Sequence, residues 1–251
     1  MKVMTYNMLC GGQAEVNGEE RLDFIIDVIR SEAPDILALQ EANGLHDHQR
    51  WQYLADRIGL PFHNLSAGAL FEDGERYHVA VFSRYRLDQA HHHTECKLQS
   101  AALSVVADSP LGPVALTNLH LHAYCESERL AELDDLLAYD PGHVRRLILG
   151  DMNALSRSDP YGSDDGEFKL QFDVIDRLSR RFTDLGAPSP GETAWTHPSR
   201  AIADHPFTQP RRIDYIFASA SLGECAGPVR VIRSETAHRA SDHFPVVVTF
   251  S

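Results

Sequence analysis

Short apolar runs in this chain stop repeatedly on an acid, an amide or a histidine. Tyr6-Asn7, Leu39-Gln40-Glu41, Asn118-Leu119-His120, Gly150-Asp151-Met152-Asn153, Ile213-Asp214-Tyr215 and Ser241-Asp242-His243 all have this form. An acid or amide at the end of a buried strand is costly unless it is paired, hydrogen-bonded or metal-bound. Placements spread from residue 6 to residue 243 therefore predict a fold whose strand ends converge on one polar pocket.

The pattern between these positions supplies the strands. Residues 2–9 read as a strand, and Leu22, Ile25, Ile26 and Ile29 recur at helical spacing over 19–32 until Pro34 forbids continuation. Residues 36–40 form a short buried strand. A second helix around Trp51, Leu54, Ala55 and Ile58 ends at Gly59 and Pro61. Strands follow at 79–83, 101–107 and 114–121, separated by turns at Asp88, Ser109-Pro110 and Gly112-Pro113. A leucine stripe predicts a helix over 126–138, then strands at 147–149, 213–218, 229–232 and 245–250. Strands outnumber helices, and many are joined too closely for parallel crossovers. This predicts mixed, mainly antiparallel sheets packed together under helices. No linker divides the chain, so 1–251 is expected to be one domain. Five prolines in 186–212 mark a long surface loop near a site.

At 251 residues, 43% hydrophobic and 24% charged, the chain is neither disordered nor fibrous. Its net charge is −13, and both halves share it: 9 basic against 16 acidic residues in 1–125, and 14 against 20 in 126–251. Such a field repels long polyanions. Residues 200–240 are the exception, with six arginines against four acids. Cys10, Cys96, Cys125 and Cys225 contain no C-x-x-C pair, which argues against a thiolate zinc site or a redox motif. MKVMTYNML runs into a strand pattern without a signal-peptide cleavage region, and no apolar run approaches membrane length, so a cytoplasmic location is expected.

The order T-Y-N-M-L at 5–9, L-Q-E at 39–41, N-L-H-L at 118–121, G-D-M-N at 150–153, R-R-I-D-Y-I-F at 211–217 and S-D-H-F-P at 241–245 resembles the endonuclease/exonuclease/phosphatase superfamily of divalent-metal phosphohydrolases. The resemblance covers essentially the whole chain and implies a deoxyribonuclease I-like, four-layered αββα sandwich with catalytic groups at one edge. It gives Glu41 a direct contact with a hard cation, Mg²⁺ or Mn²⁺, and places Asn7 beside it; their oxygens suit such an ion. Asp151 and Asn153, two apart, point to one side of extended chain, so Asp151 would deprotonate a water while Asn153 donates to a phosphate oxygen. An aspartate behind a histidine fixes its tautomer, which pairs Asp214 with His243, and the resemblance assigns them those roles. Asp242 would face the metal. His120 resembles the family's additional phosphate-side donor.

Other features keep two readings. His122 shares the parity of His120, but nothing selects it. Arg129 and Glu132 form either a helix-surface pair or a support beneath His120. His91-His92-His93 reads as an exposed turn. Trp195 and Phe207 either stack on substrate or anchor their loop, and Arg211 and Arg212 either meet substrate phosphate or are solvated. The expected function is metal-dependent hydrolysis of a phosphate ester by direct in-line attack of water. The acidic charge favours a phosphorylated small molecule or phospholipid headgroup as partner and disfavours long duplex. The alternatives are a nuclease or nucleic-acid end-processing enzyme, and a non-catalytic interaction module, against which the intact carboxylates argue.

Overall fold

The computed structural model describes residues 1–14, 18–69, 76–93, 101–161, 170–188, 194–202 and 209–251; Cys96, Phe207 and parts of the 186–212 loop lie outside the described residues. The elements run β1 (Lys2–Asn7), a 3-10 turn (Cys10–Gly12), α1 (Leu22–Glu32), β2 (Ile36–Gln40), α2 (His48–Ile58), β3 (Phe62–Ser66), β4 (Val79–Ser83), β5 (Leu87–His92), β6 (Ala101–Ser109), β7 (Gly112–His120) and α3 (Glu126–Ala138). They continue with β8 (Arg146–Asp151), α4 (Asp173–Ser179), β9 (Thr183–Asp184), β10 (Asp214–Ala218), α5 (Ala220–Gly223), β11 (Arg230–Val231), α6 (Glu235–Ala240) and β12 (Val246–Thr249).

Among the described residues two six-stranded sheets result, ordered β11-β12-β1-β2-β4-β3 and β5-β6-β7-β8-β10-β9. The pairs β1–β2 and β7–β8 are parallel, and the other pairs are antiparallel. Side chains alternate across each strand. Val3, Ile36 and Val81 face inward against Leu103, Leu116, Leu149 and Ile216 of the other sheet. Their neighbours Met4, Leu37 and Phe82 face outward onto Ile25, Ile29 and Leu54 of α1 and α2. Ile148 and Phe217 do the same beneath Leu133 of α3 and Val174 of α4. This is the deoxyribonuclease I-like αββα sandwich. Each fully buried Leu, Ile or Phe contributes about 1.5–3 kcal/mol, which the three apolar layers multiply. Among the described residues no helix is long and apolar enough to cross a membrane.

Helix ends follow local chemistry. Asp47 caps α2 by accepting from the Arg50 N–H at 2.9 Å, and Gly59 closes it in the left-handed region at φ 68°. The elements absent from the sequence-based expectation are mostly edge strands and short helices. β5 presents five exposed residues in LDQAHH, so it carries no apolar alternation. The expected turn at His91-His92-His93 is consequently corrected. His91 and His92 end β5, His91 stacks on Tyr139 at 4.2 Å, and buried His93 meets Ser104 Oγ at 2.8 Å.

Register brings the polar strand ends together. Asn7 pairs with Gln40 in one sheet, while His120, Asp151 and Asp214 form one row in the other. β12 begins opposite Thr5, so residues 241–245 approach the same edge.

Candidate active site

The two sheets are stitched beneath the site by buried amides. Gln40 Nε2 donates to Asn118 Oδ1 at 2.7 Å and to Thr5 Oγ1 at 2.9 Å, while Asn118 Nδ2 donates to the Leu39 and Ala80 carbonyls, each at 2.9 Å. These bonds satisfy the amino groups of both amides and hold the two sheet edges together, while Gln40 Oε1 stays buried without a hydrogen-bond partner among the described residues. Asn118 thus belongs to the scaffold, although it opens the motif that carries His120.

Asp151 occupies the centre. Its Oδ1 accepts the Asn153 N–H at 2.9 Å; its Oδ2 accepts from Asn7 Nδ2 at 3.0 Å and lies 3.5 Å from His120 Nε2 and 3.8 Å from His243 Nε2. Burial raises its pKa to about 6, against the lowering pull of His243 and His120. His243 Nδ1 lies 2.9 Å from Asp214 Oδ2. Burial disfavours the imidazolium, but Asp214, Asp151 and Asp242 outweigh it and hold the His243 pKa well above its ordinary value. The row therefore holds a base poised near neutrality beside an imidazole biased toward its donating form.

Backbone geometry fixes these groups. Gly150, at φ 135°, passes so close to β7 that a Cβ there would sit 1.9 Å from the Leu119 carbonyl oxygen. Only glycine fits. Glu41 and Asn153 adopt left-handed conformations at φ 49° and 48°, unusual for residues with side chains. Asn153 donates through Nδ2 to the Leu121 carbonyl at 3.0 Å.

Glu41 is held by Asn7 Nδ2 at 3.1 Å and by the Cys10 N–H at 2.8 Å. Asn7 stands beside Glu41, as expected. Its side-chain carbonyl oxygen accepts the Leu9 N–H at 3.0 Å while its amino group bridges Glu41 and Asp151, relieving repulsion between the two carboxylates. Ser241 Oγ donates to the Asn7 carbonyl at 2.7 Å, and buried Arg21 donates to the Ala240 and Leu9 carbonyls at 2.7 and 2.8 Å. The loops carrying Asn7 and Asp242 are thereby tied to each other.

His197 joins the site without any signal in the sequence reading. It is buried, with Nε2 3.7 Å from Asp242 Oδ2 and its ring 4.7 Å from that of His243; burial lowers its pKa to about 4 despite Asp242. Ligand atoms of His197, Asp242 and His243 lie within 4.8 Å of one another, and so do those of Asp151, Asp214 and His243. Asp214 Oδ1 is buried with no hydrogen-bond partner among the described residues. These oxygen and imidazole donors fit a divalent cation, and neither triad includes Glu41.

The flanking residues divide. His122 Nδ1 accepts from the Tyr124 and Cys125 N–H groups at 3.0 and 3.2 Å, which anchors its loop. Arg129 and Glu132 are buried supports, not a surface pair: Arg129 donates to the His122 carbonyl at 2.9 Å, and Glu132 accepts the His122 N–H at 2.8 Å. Arg212 as a substrate contact is corrected, because its buried guanidinium is taken by Asp159 at 3.0–3.1 Å and Asp184 at 2.8–2.9 Å. Arg211 is buried, its backbone bridged to His197. Trp195 packs its ring 5.6 Å from Tyr161 and accepts from Arg233 through its carbonyl, a loop anchor.

Comparison with known proteins extends this geometry. The model of the Endonuclease/Exonuclease/phosphatase family matches residues 4–243. Similar solved structures include an endonuclease/exonuclease/phosphatase family protein from Leptotrichia buccalis C-1013-b, with TM-score 0.74, 16% identity and coverage of 100% of this chain and 99% of the other. An AP endonuclease from Archaeoglobus fulgidus gives TM-score 0.74, 18% identity and coverage of 100% and 99%. A 3′ phosphatase from Neisseria bound to product DNA hairpin gives 0.69, 19%, and 100% and 99%. No curated protein sequence matches the chain. These likenesses overturn the expectation of a small-molecule or lipid partner with nucleic acid disfavoured. The inference from charge failed because a net −13 sums the whole surface, whereas substrate meets a local field.

Proposed function

The chain belongs to the endonuclease/exonuclease/phosphatase family and is a metal-dependent phosphoric ester hydrolase, and from that premise we propose that it is a nuclease or nucleic-acid end-processing phosphodiesterase. The chemistry rests on one observation: a buried carboxylate, Asp151, set against His120 and His243, with Asp214 behind His243. The choice of substrate rests on the AP endonuclease and the DNA-bound 3′ phosphatase that share the fold.

In this reading Asp151 orients a water and accepts its proton, and the resulting hydroxide attacks phosphorus in line with the departing oxygen. A base near pH 6 keeps useful proton affinity while mostly ionised at neutrality. His243, oriented by Asp214, donates through Nε2 to a phosphoryl oxygen as charge builds, and His120 and Asn153 donate beside it. Mg²⁺, with Mn²⁺ as a substitute, is the proposed cation; Asp242 of the His197–Asp242–His243 cluster and Glu41, which lies in neither cluster, are its proposed carboxylate ligands, with Asn7 bridging Glu41 and Asp151. Such a cation supplies Lewis-acid stabilisation of phosphoryl and leaving-group charge when bound. We also take 1–251 as one domain working in a reducing cytoplasm, with Cys10, Cys125 and Cys225 as thiols.

The test presents oligonucleotides bearing a 3′-phosphate, an abasic site or only internal diesters, with Mg²⁺ or Mn²⁺. Phosphate release or strand shortening by the wild type, abolished by chelation, is expected. Turnover that survives complete chelation, or no product from any of the three, sinks the reading.

A further inference from the structure

We infer that Tyr124 is a stacking platform for an unpaired nucleobase of the substrate strand. This rests on the nucleic-acid reading above and adds to it a contact that no phosphate chemistry requires. Tyr124 is 82% exposed, the most exposed large hydrophobic side chain among the described residues. Tyr53, at 40%, spends its hydroxyl on Asp23 at 2.6 Å. Tyr124 instead stands beside the His122 ring, 6.4 Å away and edge-on.

Its position is tied to the catalytic row. The Leu121 N–H donates to the Asp151 carbonyl at 3.0 Å, and the Leu121 carbonyl takes the Asn153 side chain. Tyr124 follows three residues later, so its Cα lies within about 11 Å of that of Leu121. That bound keeps the Tyr124 backbone within a few residues' reach of the strand end that carries His120.

The loop between them is held at several points. His122 Nδ1 fixes the Tyr124 and Cys125 N–H groups; Arg129 takes the His122 and Ala123 carbonyls at 2.9 and 3.2 Å; Glu132 takes the His122 N–H. An exposed aromatic on a pre-ordered backbone loses little freedom when a flat partner arrives, since tyrosine has only two side-chain torsions. Every base offers a π-face, so such a platform tolerates sequence. Stacking also needs no cation, which suits a protein of net charge −13. The buried Arg129–Glu132–His122 network thus acquires a purpose: it presents Tyr124.

The test is a binding cycle in EDTA, where no strand is cut. Wild type, Tyr124→Ala and Tyr124→Phe are titrated with a short oligothymidylate and with the same sugar-phosphate strand lacking all bases. The wild type should bind the base-bearing strand about 5- to 150-fold more tightly, the range expected for one base–aromatic stack. Tyr124→Ala should erase that preference and leave the baseless strand unaffected, while Tyr124→Phe retains it. A preference that survives in Tyr124→Ala, or equal losses on both strands, overturns the platform and leaves the nuclease reading standing. Failure of the wild type to bind either strand also overturns the platform, and the nucleic-acid reading is then decided by the turnover assay with Mg²⁺ or Mn²⁺.

Discussion

Two of the polar clusters among the described residues are built in opposite ways. Around Arg212, one guanidinium faces the carboxylates of Asp159 and Asp184, stacks over the Tyr215 ring at 4.4 Å, and reaches Ser158; the Tyr215 hydroxyl donates to the Arg212 carbonyl. Cation and anions are matched in geometry and hydrogen bonds. At the catalytic edge, Asp151, Asp214 and Asp242 face histidines and amides, and Asp214 Oδ1 has no hydrogen-bond partner among the described residues. The first cluster is closed and serves as scaffold. The second keeps that carboxylate oxygen without a hydrogen-bond partner, and in the function proposed above that opening is where a cation, a phosphate and a proton are received.

The sharpest way to break this contrast is Asp151→Asn. An amide keeps the shape but cannot take the proton of water, so single-turnover rates at saturating substrate should fall about 10²–10⁴-fold with the fold intact. Near-normal chemistry would move the base elsewhere. Next comes Arg212→Met, which strands the buried Asp159 and half-buried Asp184 carboxylates and should cost about 3–5 kcal/mol in urea unfolding, while the molecules that remain folded keep their kcat. Replacing Arg212, Asp159 and Asp184 together by apolar residues should recover most of that loss; a triple variant as unstable as the single one would show that the cluster does more than close itself.

A smaller effect carries a sign. The Asp151 pKa of about 6 lies above its unfolded value, so the folded state binds the proton more tightly, and ionising Asp151 inside the fold opposes folding as pH rises from about 4 through 6. Metal-free Asp151→Asn should therefore be more stable than metal-free wild type at pH 8, on the order of 1–3 kcal/mol, with the advantage shrinking toward pH 4. Paired urea titrations at the two pH values check it; an advantage independent of pH would refute the cause. The smallest effect belongs to neither cluster. Asp47→Ala removes the α2 cap and should cost about 1 kcal/mol without changing turnover.

What could be read from the residues alone follows the same division. β2, β4 and α3 match their expected limits to the residue, because each is an uninterrupted apolar run or stripe with polar punctuation at both ends. The convergence of polar strand ends was legible for a similar reason: Asp151, Asp214 and His243 each interrupt an apolar pattern, and the fold brings them together. The closed cluster was not legible, since Arg212 finds Asp159 and Asp184 at separations of 53 and 28 residues, where no periodicity operates. His197 enters the site from a loop segment pinned by backbone bonds to Arg211, a pairing that only the folded chain creates. β3 and β5 escaped because edge strands carry polar side chains on the faces they leave to solvent.

Gly150 sets a tolerance for the whole device. β7 and β8 run parallel there, with Leu119 opposite Gly150 and His120 opposite Asp151, and the missing side chain of Gly150 is what allows that spacing. The separation between the Asp151 carboxylate and its neighbouring imidazole is thus gauged by the width of one hydrogen atom on the residue before it. A methyl group at position 150 would act as a shim between the strands, and every catalytic distance measured from Asp151 would inherit the error.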